Sequence, residues 1–196
     1  MSKEHIVPIS ALAAPIRGTS PALEREYLQP QRLKIISMGN LGAGKSCMIK
    51  RFCEEKFVSK YISTIGIDYG VKSLIISDRE VRVNFWDFSG QDEFLHVRNE
   101  FYKDAQGALL VYDVTSRPSF EALNHWIEEA VKFGIERYSC IVCGNKIDKM
   151  HRVVTEDEGK VFARSKGWEY FETSACTGVN INSAFTKLFQ QVLNSD

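Results

Sequence analysis

Gly39-Asn40-Leu41-Gly42-Ala43-Gly44-Lys45-Ser46 fits the pattern G-x-x-x-x-G-K-[ST] in full, and its flanks decide how it folds. Before it runs Leu33-Lys34-Ile35-Ile36-Ser37-Met38, an apolar stretch that reads as a strand. After it, Cys47-Met48-Ile49-Lys50-Arg51-Phe52 reads as the first turns of a helix. Strand, glycine-rich loop and helix start, in that order, are the context this motif requires. A strand-to-helix turn can be glycine-rich for steric reasons alone, but Gly44-Lys45-Ser46 at its end points to phosphate. Glycines let successive N–H groups turn inward around phosphate oxygens. The helix N-terminus adds unpaired donors and partial positive charge. Lys45 is expected to reach the outer phosphates and the Ser46 hydroxyl to ligate Mg²⁺.

Outward from this loop, from Leu33 on, strands and helices alternate. This argues a three-layer α/β domain of the P-loop NTPase kind, with a mostly parallel sheet, six strands in all. Val71–Ser77 and Val81–Trp86 flank Asp78-Arg79-Glu80, a spacing that predicts a hairpin and one antiparallel edge strand. Gly107–Tyr112 and Cys140–Cys143 are continuous apolar runs, as central strands buried on both faces should be. Phe120, Leu123, Ile127, Ala130 and Val131 recur at helical spacing behind Pro118, and Ile181, Ala184, Phe185, Leu188, Phe189 and Val192 form a second stripe. Both stripes are assigned to the core. Thr155-x-x-Glu158 predicts a capping box. Residues 1–30 hold four of the five prolines and no sustained periodicity, so a flexible arm is expected there, with a short helix at Ala22–Tyr27 an option. The domain proper is then 31–196.

Composition excludes several classes. Of 196 residues, 44% are hydrophobic and 26% charged, and Lys+Arg and Asp+Glu number 25 each. With zero formal net charge, no nucleic-acid partner is expected. No apolar run approaches the about 18 residues of a membrane span, and Pro8 and Pro15 interrupt the only apolar stretch near the N-terminus. Five scattered cysteines fit a reducing compartment, so a cytoplasmic protein is expected, in cytosol or nucleus or brought to membranes by partners. Cys140-x-x-Cys143 lies in an apparent buried strand, where residues three apart face opposite ways, and reads as packing. The four histidines (His5, His96, His125, His151) show no metal-ligand spacing.

Three further segments name the nucleotide. In Trp86-Asp87-Phe88-Ser89-Gly90-Gln91, an Asp at a strand end beside the phosphate loop is where a Mg²⁺-holding carboxylate belongs, acting through water. Gly90 would offer its N–H to the γ-phosphate and Gln91 would orient the attacking water. In Asn145-Lys146-Ile147-Asp148, the Asp148 carboxylate can accept from the N1–H and exocyclic amine of guanine, a donor pair adenine lacks. Asn145 and Lys146 would brace that loop, the lysine stem lying along the base. In Glu172-Thr173-Ser174-Ala175, the Ala175 N–H could meet guanine O6.

With these motifs in order, the chain from about Leu33 to Leu193 resembles a Ras-superfamily small GTPase of the Rab-like branch. Thr64-Ile65-Gly66-Ile67-Asp68 and Val111-Tyr112-Asp113-Val114-Thr115 stand in family order as well. Arg51-Phe52-Cys53, Phe57-Val58-Ser59-Lys60-Tyr61, the segment Thr64–Gly70 and Val97–Lys103 look like the RJL group, Rab-like proteins many of which carry a C-terminal DnaJ domain. The chain ends at Asp196 with no His-Pro-Asp tripeptide, and so reads as a short form or a GTPase-only piece. The resemblance implies a small G domain that binds GTP or GDP with Mg²⁺. Gln91, Lys45 and Thr64 would be catalytic, with Ser46, Thr64 and (through water) Asp87 on the metal. The nucleotide would contact Gly39 through Ser46, Cys47, Phe57, Gly90, Asn145, Lys146, Asp148, Ser174, Ala175 and Cys176. Switch segments are implied at about Val58–Tyr69 and Gly90–Lys103. Tyr69, Trp86 and Phe101 match the aromatic trio that Rabs present to effectors. Core packing is the other reading of those three. An effector, an exchange factor and an activating protein are implied partners, and a monomer is expected.

Two departures stand out. Leu41 occupies a position where the family has a very small residue, and should crowd the γ-phosphate, Gln91 and any incoming arginine. The expectation is good GTP binding with slow hydrolysis, or in the limit a largely GTP-loaded interaction scaffold. An ATP-dependent enzyme is disfavoured by NKID and ETSA. The last cysteine is Cys176, so no C-terminal lipid-acceptor motif is seen and no lipid anchor is expected.

Overall fold

The computed structural model describes residues 30–60, 62–135 and 137–195. Residues 1–29 of the proposed arm, its Ala22–Tyr27 option and His5 among them, and Tyr61 lie outside these residues. Six strands form one sheet: β1 (Gln31–Met38), β2 (Ile67–Ile76), β3 (Arg79–Phe88), β4 (Gly107–Asp113), β5 (Ser139–Asn145) and β6 (Glu169–Thr173). Their spatial order is β2-β3-β1-β4-β5-β6, parallel throughout except for the antiparallel β2–β3 pair. The helices are α1 (Lys45–Glu54), α2 (Leu95–Arg98), α3 (Arg117–Glu121), α4 (Leu123–Lys132), α5 (Glu156–Ser165) and α6 (Ile181–Leu193). Single 3₁₀ turns, Asp92–Phe94 and Asn99–Phe101, flank α2.

Alternation along the strands divides the core in two. Leu33, Ile35, Val83, Phe85, Leu109, Val111, Ile141 and Cys143 face α1 and α6, where the Phe52 ring stacks on Phe185 at 4.4 Å. Ile36, Met38, Phe88, Ala108, Leu110, Cys140 and Val142 face Tyr102, Trp126, Ala130 and Ala163 on the other side. Cys140 and Cys143 therefore belong to opposite layers, both buried and both free thiols. Every residue of β4 is buried, as its apolar run requires. The α6 stripe is buried along its whole length.

Two expectations are corrected. The hairpin turns at Ser77-Asp78, with Ile76 paired to Arg79, rather than across Asp78-Arg79-Glu80. Both turn residues have positive φ (48° and 62°), the conformation a two-residue loop needs to match strand twist, so Arg79 and Glu80 are free to pair. In the other stripe, Val131 is 61% exposed, while Trp126 fills the core. The register follows the real helix, which restarts at Leu123 after the short α3, so Leu123, Trp126 and Ala130 face inward.

Helix α5 opens with the capping box: the Glu158 N–H donates to Thr155 Oγ1 at 3.2 Å, and Thr155 N–H to Glu158 Oε2 at 2.8 Å. Thr155→Ala is expected to cost about 1 kcal/mol, read as a melting-point fall of about 2–4 °C. An unchanged melting point would show that the cap adds nothing.

Candidate functional site

Because β1, β3, β4, β5 and β6 run parallel, their carboxyl ends share one edge, and each carries one of the sequence motifs. The strand order turns back at β1, the place where ligands of such sheets bind. The loop Gly39–Gly44 joins β1 to α1 with Gly39, Gly42 and Gly44 at φ 137°, 76° and 100°. A Cβ on Gly39 would lie 2.0 Å from the Val111 carbonyl oxygen, so close approach to β4 demands glycine there. Gly44 caps α1 in the left-handed conformation, while Gly42 faces open space.

Lys45 is 6% exposed, and its ammonium donates back to the carbonyls of Gly39 at 2.6 Å and Asn40 at 3.3 Å. Burial pulls its pKa down to about 8, against the favourable field of Asp87. The hydroxyls of Ser46 and Thr64 meet at 3.0 Å. Asp87, 4% exposed, accepts from Ser37 Oγ at 2.6 Å. Burial pushes its carboxyl above the usual range, while Lys45 and the hydroxyls of Ser37 and Ser46 pull back. Two hydroxyls and a buried carboxylate thus converge beside one lysine. Gly90 packs on the loop's backbone, for its Cβ would lie 2.2 Å from Leu41 N and 2.4 Å from the Asn40 carbonyl carbon. Backbone cannot yield as a side-chain tip can, so Gly90→Ala is expected to displace one segment. Overpacking of about 1–3 kcal/mol should lower single-turnover hydrolysis about tenfold with nucleotide affinity largely kept. An unaltered rate would mean this contact is incidental.

At the far end, the side chain of fully buried Asn145 ties three motifs together. Its amide donates to Ala43 O at 2.9 Å, and its oxygen accepts from Thr173 Oγ1 at 3.3 Å and Ala175 N at 3.2 Å. Ala175 N–H, expected to face a base, is therefore held by Asn145, whose buried amide must satisfy both ends. Asp148 is exposed and accepts from Ser174 Oγ at 2.6 Å. Ser174 thus orients Asp148.

A cleft of about 350 Å³ runs between these ends. Leu41, Gly42, Gly44, Lys45, Ser46 and Cys47 line it, together with Phe57, Thr64 and Gly90 and with Asn145, Lys146, Asp148, Ala175 and Cys176. Gly39, Asn40, Ala43, Asp87, Gln91 and Ser174 are not in its lining. Asn40 faces Trp126, whose indole N–H donates to Asn40 Oδ1 at 2.7 Å. The Gln91 carboxamide oxygen accepts from Ser63 Oγ at 3.2 Å. The Trp86 ring contacts both Tyr69 and Phe101, with centres 4.8 and 4.7 Å apart and planes tilted by 58° and 37°. Tyr69 is half exposed, while Trp86 and Phe101 are partly buried and pack against the core layer of Tyr102 and Trp126. His96, His125 and His151 stay outside the cleft.

Compared with known families, residues 34–194 match the Ras family. This chain belongs to the Ras family. It is a Rab-like small GTPase domain. The Ras-family chain is 49% identical over 176 residues to "DnaJ homolog subfamily C member 27" of Rattus norvegicus, covering 87% of this chain and 64% of that protein. With the Homo sapiens protein of that name it shares 51% over 169 residues, covering 83% and 62%. With that of Danio rerio the figures are 48% over 180 residues, 89% and 66%. It spans a little under two thirds of these relatives' length. Their name agrees with the resemblance to the RJL group. Among the described residues, no helix is long and apolar enough to cross a membrane.

Three residues of this Ras-family site escaped sequence reasoning. Asp113 accepts from the Lys146 ammonium at 2.6 Å, fixing the lysine expected to lie along the base. Its signal was present, since Asp113 with Thr115 two residues on makes an Asx turn (2.8 and 2.7 Å). Arg51 donates to the carbonyls of Ala175, at 2.9 Å, and Cys176, and lies 6.0 Å from the Phe57 ring centre. Arg98 is bound to Glu129 in the core. Neither of the last two left any local trace.

Proposed function

We propose that residues 31–196 form one small GTPase domain that binds GTP with Mg²⁺ in this cleft, hydrolyses it slowly to GDP and phosphate, and signals by the difference. The observation that carries the reading is the convergence of Ser46 and Thr64, in the lining of the cleft, with buried Asp87 beside Ser46, while Asp148 lines the same cleft. Hydroxyl and carboxylate oxygens are the hard donors Mg²⁺ prefers. Ser46 and Thr64 would hold it directly and Asp87 through water. When bound, the ion neutralises charge on the phosphate oxygens.

The residues themselves do the rest by position and charge. Lys45 exchanges the two loop carbonyls for phosphate oxygens, regaining solvation for a charge that burial disfavours. Asp148, oriented by Ser174, accepts from the two donors of guanine. Lys146, anchored on Asp113, lies along the base, and Phe57 closes its edge. Gln91 leaves Ser63 to orient the attacking water. Thr64 belongs to the segment that senses the γ-phosphate, so its release would free the exposed Ile62 and Ile65 and reshape the Tyr69–Trp86–Phe101 trio for effectors. An exchange factor, an activating protein and a cytoplasmic setting follow from this reading.

Leu41 lines the cleft at 47% exposure and supports slow turnover, or a scaffold that stays GTP-loaded. Chromatography of the nucleotide released from purified protein, followed over hours with Mg²⁺ and with chelator, tests the reading. GTP decaying to GDP, with faster release under chelation and no displacement by ATP, is expected. Persistent GTP would favour the scaffold, and bound adenine nucleotide would defeat both.

A further inference from the structure

We propose that Arg98, set by Glu129 of helix α4, is a positioning residue for Gln91. Arg98 is 1% exposed at the end of α2, inside the second switch segment. Its Nε and Nη2 donate to the two Glu129 oxygens at 2.5 and 2.7 Å. Tyr102 Oη adds a bond to Glu129 Oε1 at 2.7 Å. The remaining arm, Nη1, donates 2.5 Å to the Gln91 carbonyl oxygen. Asp92, almost fully exposed, stands 3.9 Å from Nη2, and His125 lies 3.9 Å from Glu129.

A buried ion pair is weak as a stabiliser, since desolvation of both partners offsets their attraction. Apolar side chains of equal volume would fill this space as well. What they would lack is the planar guanidinium, whose fixed fork ties the direction of Nη1 to that of the Glu129 carboxylate. The Gln91 backbone is thereby referenced to helix α4. The same helix is referenced to the phosphate loop, because Trp126 lies 4.7 Å beneath the Arg98 guanidinium and donates its indole N–H to Asn40. Helix α4 so supports both the water-orienting residue and the phosphates' cradle. Gln91 can then turn from Ser63 toward the cleft by side-chain rotation, its backbone staying put. Misplacement by about 1 Å can cost about a hundredfold in rate.

This rests on Gln91 orienting the water, and the experiment separates the two claims. Single-turnover GTP hydrolysis and release of a fluorescent GDP are measured for the full chain and for Arg98→Lys, Glu129→Gln, Tyr102→Phe, Gln91→Ala and the Gln91→Ala double variants. The series is repeated with Leu41→Gly. Arg98→Lys and Glu129→Gln are expected to slow hydrolysis about 10–100-fold while GDP release changes less than about threefold. Their effect should vanish once Gln91 is alanine. Equal losses with and without Gln91, or unchanged rates, overturn the proposal while leaving Gln91's role intact. Hydrolysis indifferent to Gln91→Ala removes the premise that Gln91 orients the water, and this inference with it. Tyr102→Phe, which removes one hydroxyl, keeps the test open if the charge variants fail to fold. A partial loss that also vanishes without Gln91 is expected of it.

Discussion

Replacing Asp148 with alanine is expected to weaken GTP binding by about 10²–10⁴-fold and to erase the preference for GTP over ATP. Two charge-assisted hydrogen bonds contribute about 1.5–3 kcal/mol each, and every 1.4 kcal/mol is about tenfold in affinity. The geometry favours the upper half of that range, because the carboxylate is already oriented. Ser174 Oγ holds one oxygen at 2.6 Å, so little ordering cost remains when a base arrives. Ser174 is itself fixed by the Thr177 N–H at 3.0 Å. Ser174→Ala should therefore weaken binding much less than Asp148→Ala, by loosening rather than removing the acceptor. Equilibrium titration with labelled GTP, competed by unlabelled GTP and ATP, reads both quantities. A loss below about tenfold would place guanine recognition elsewhere.

The second large effect concerns Leu41. Leu41→Gly is expected to accelerate single-turnover hydrolysis about 5–150-fold, the equivalent of relieving about 1–3 kcal/mol of crowding in the transition state. Leu41 lines the cleft, and its backbone nitrogen lies 2.2 Å from where a Cβ on Gly90, one residue before Gln91, would be. On the proposed reading, a branched side chain at that junction would compete for space with the γ-phosphate, with a rotated Gln91 and with any arginine supplied in trans, which alone can be worth about 10³–10⁵ in rate. The added glycine costs some loop order, about 0.5–1 kcal/mol, so nucleotide affinity is measured beside the rate. Equal rates in the two proteins would sink the idea.

Helix-scale chemistry was legible early. The Thr155–Glu158 cap, the α6 stripe and the buried runs of β4 and β5 depend on residues within a few positions of each other, where backbone geometry leaves few options. The misreadings were local as well. The Ser77-Asp78 turn needs two residues at positive φ, and neither is glycine, so nothing marked it. Val131 fits the helical period as well as Trp126 does. Only the packing of α4 against the sheet chose between them.

What the chain by itself determined is the order of the motifs, and hence the expectation of a phosphate loop, a strand-end carboxylate for a metal and a base-reading loop. Each is a short contiguous stretch whose residue types suit one kind of ligand. Only the tertiary structure decided how those stretches hold one another. Arg98 meets Glu129 across 31 residues, Trp126 meets Asn40 across 86, and Arg51 meets Ala175 across 124. Such partners come together because β1, β4, β5 and β6 lie parallel in that spatial order and bring distant loops to one edge. A buried donor must find an acceptor among its spatial neighbours, and those neighbours are created by the fold. The phosphate loop could be read from eight residues. The support beneath it, running from Gln91 through Arg98 and Glu129 to Trp126 and back to Asn40, could not.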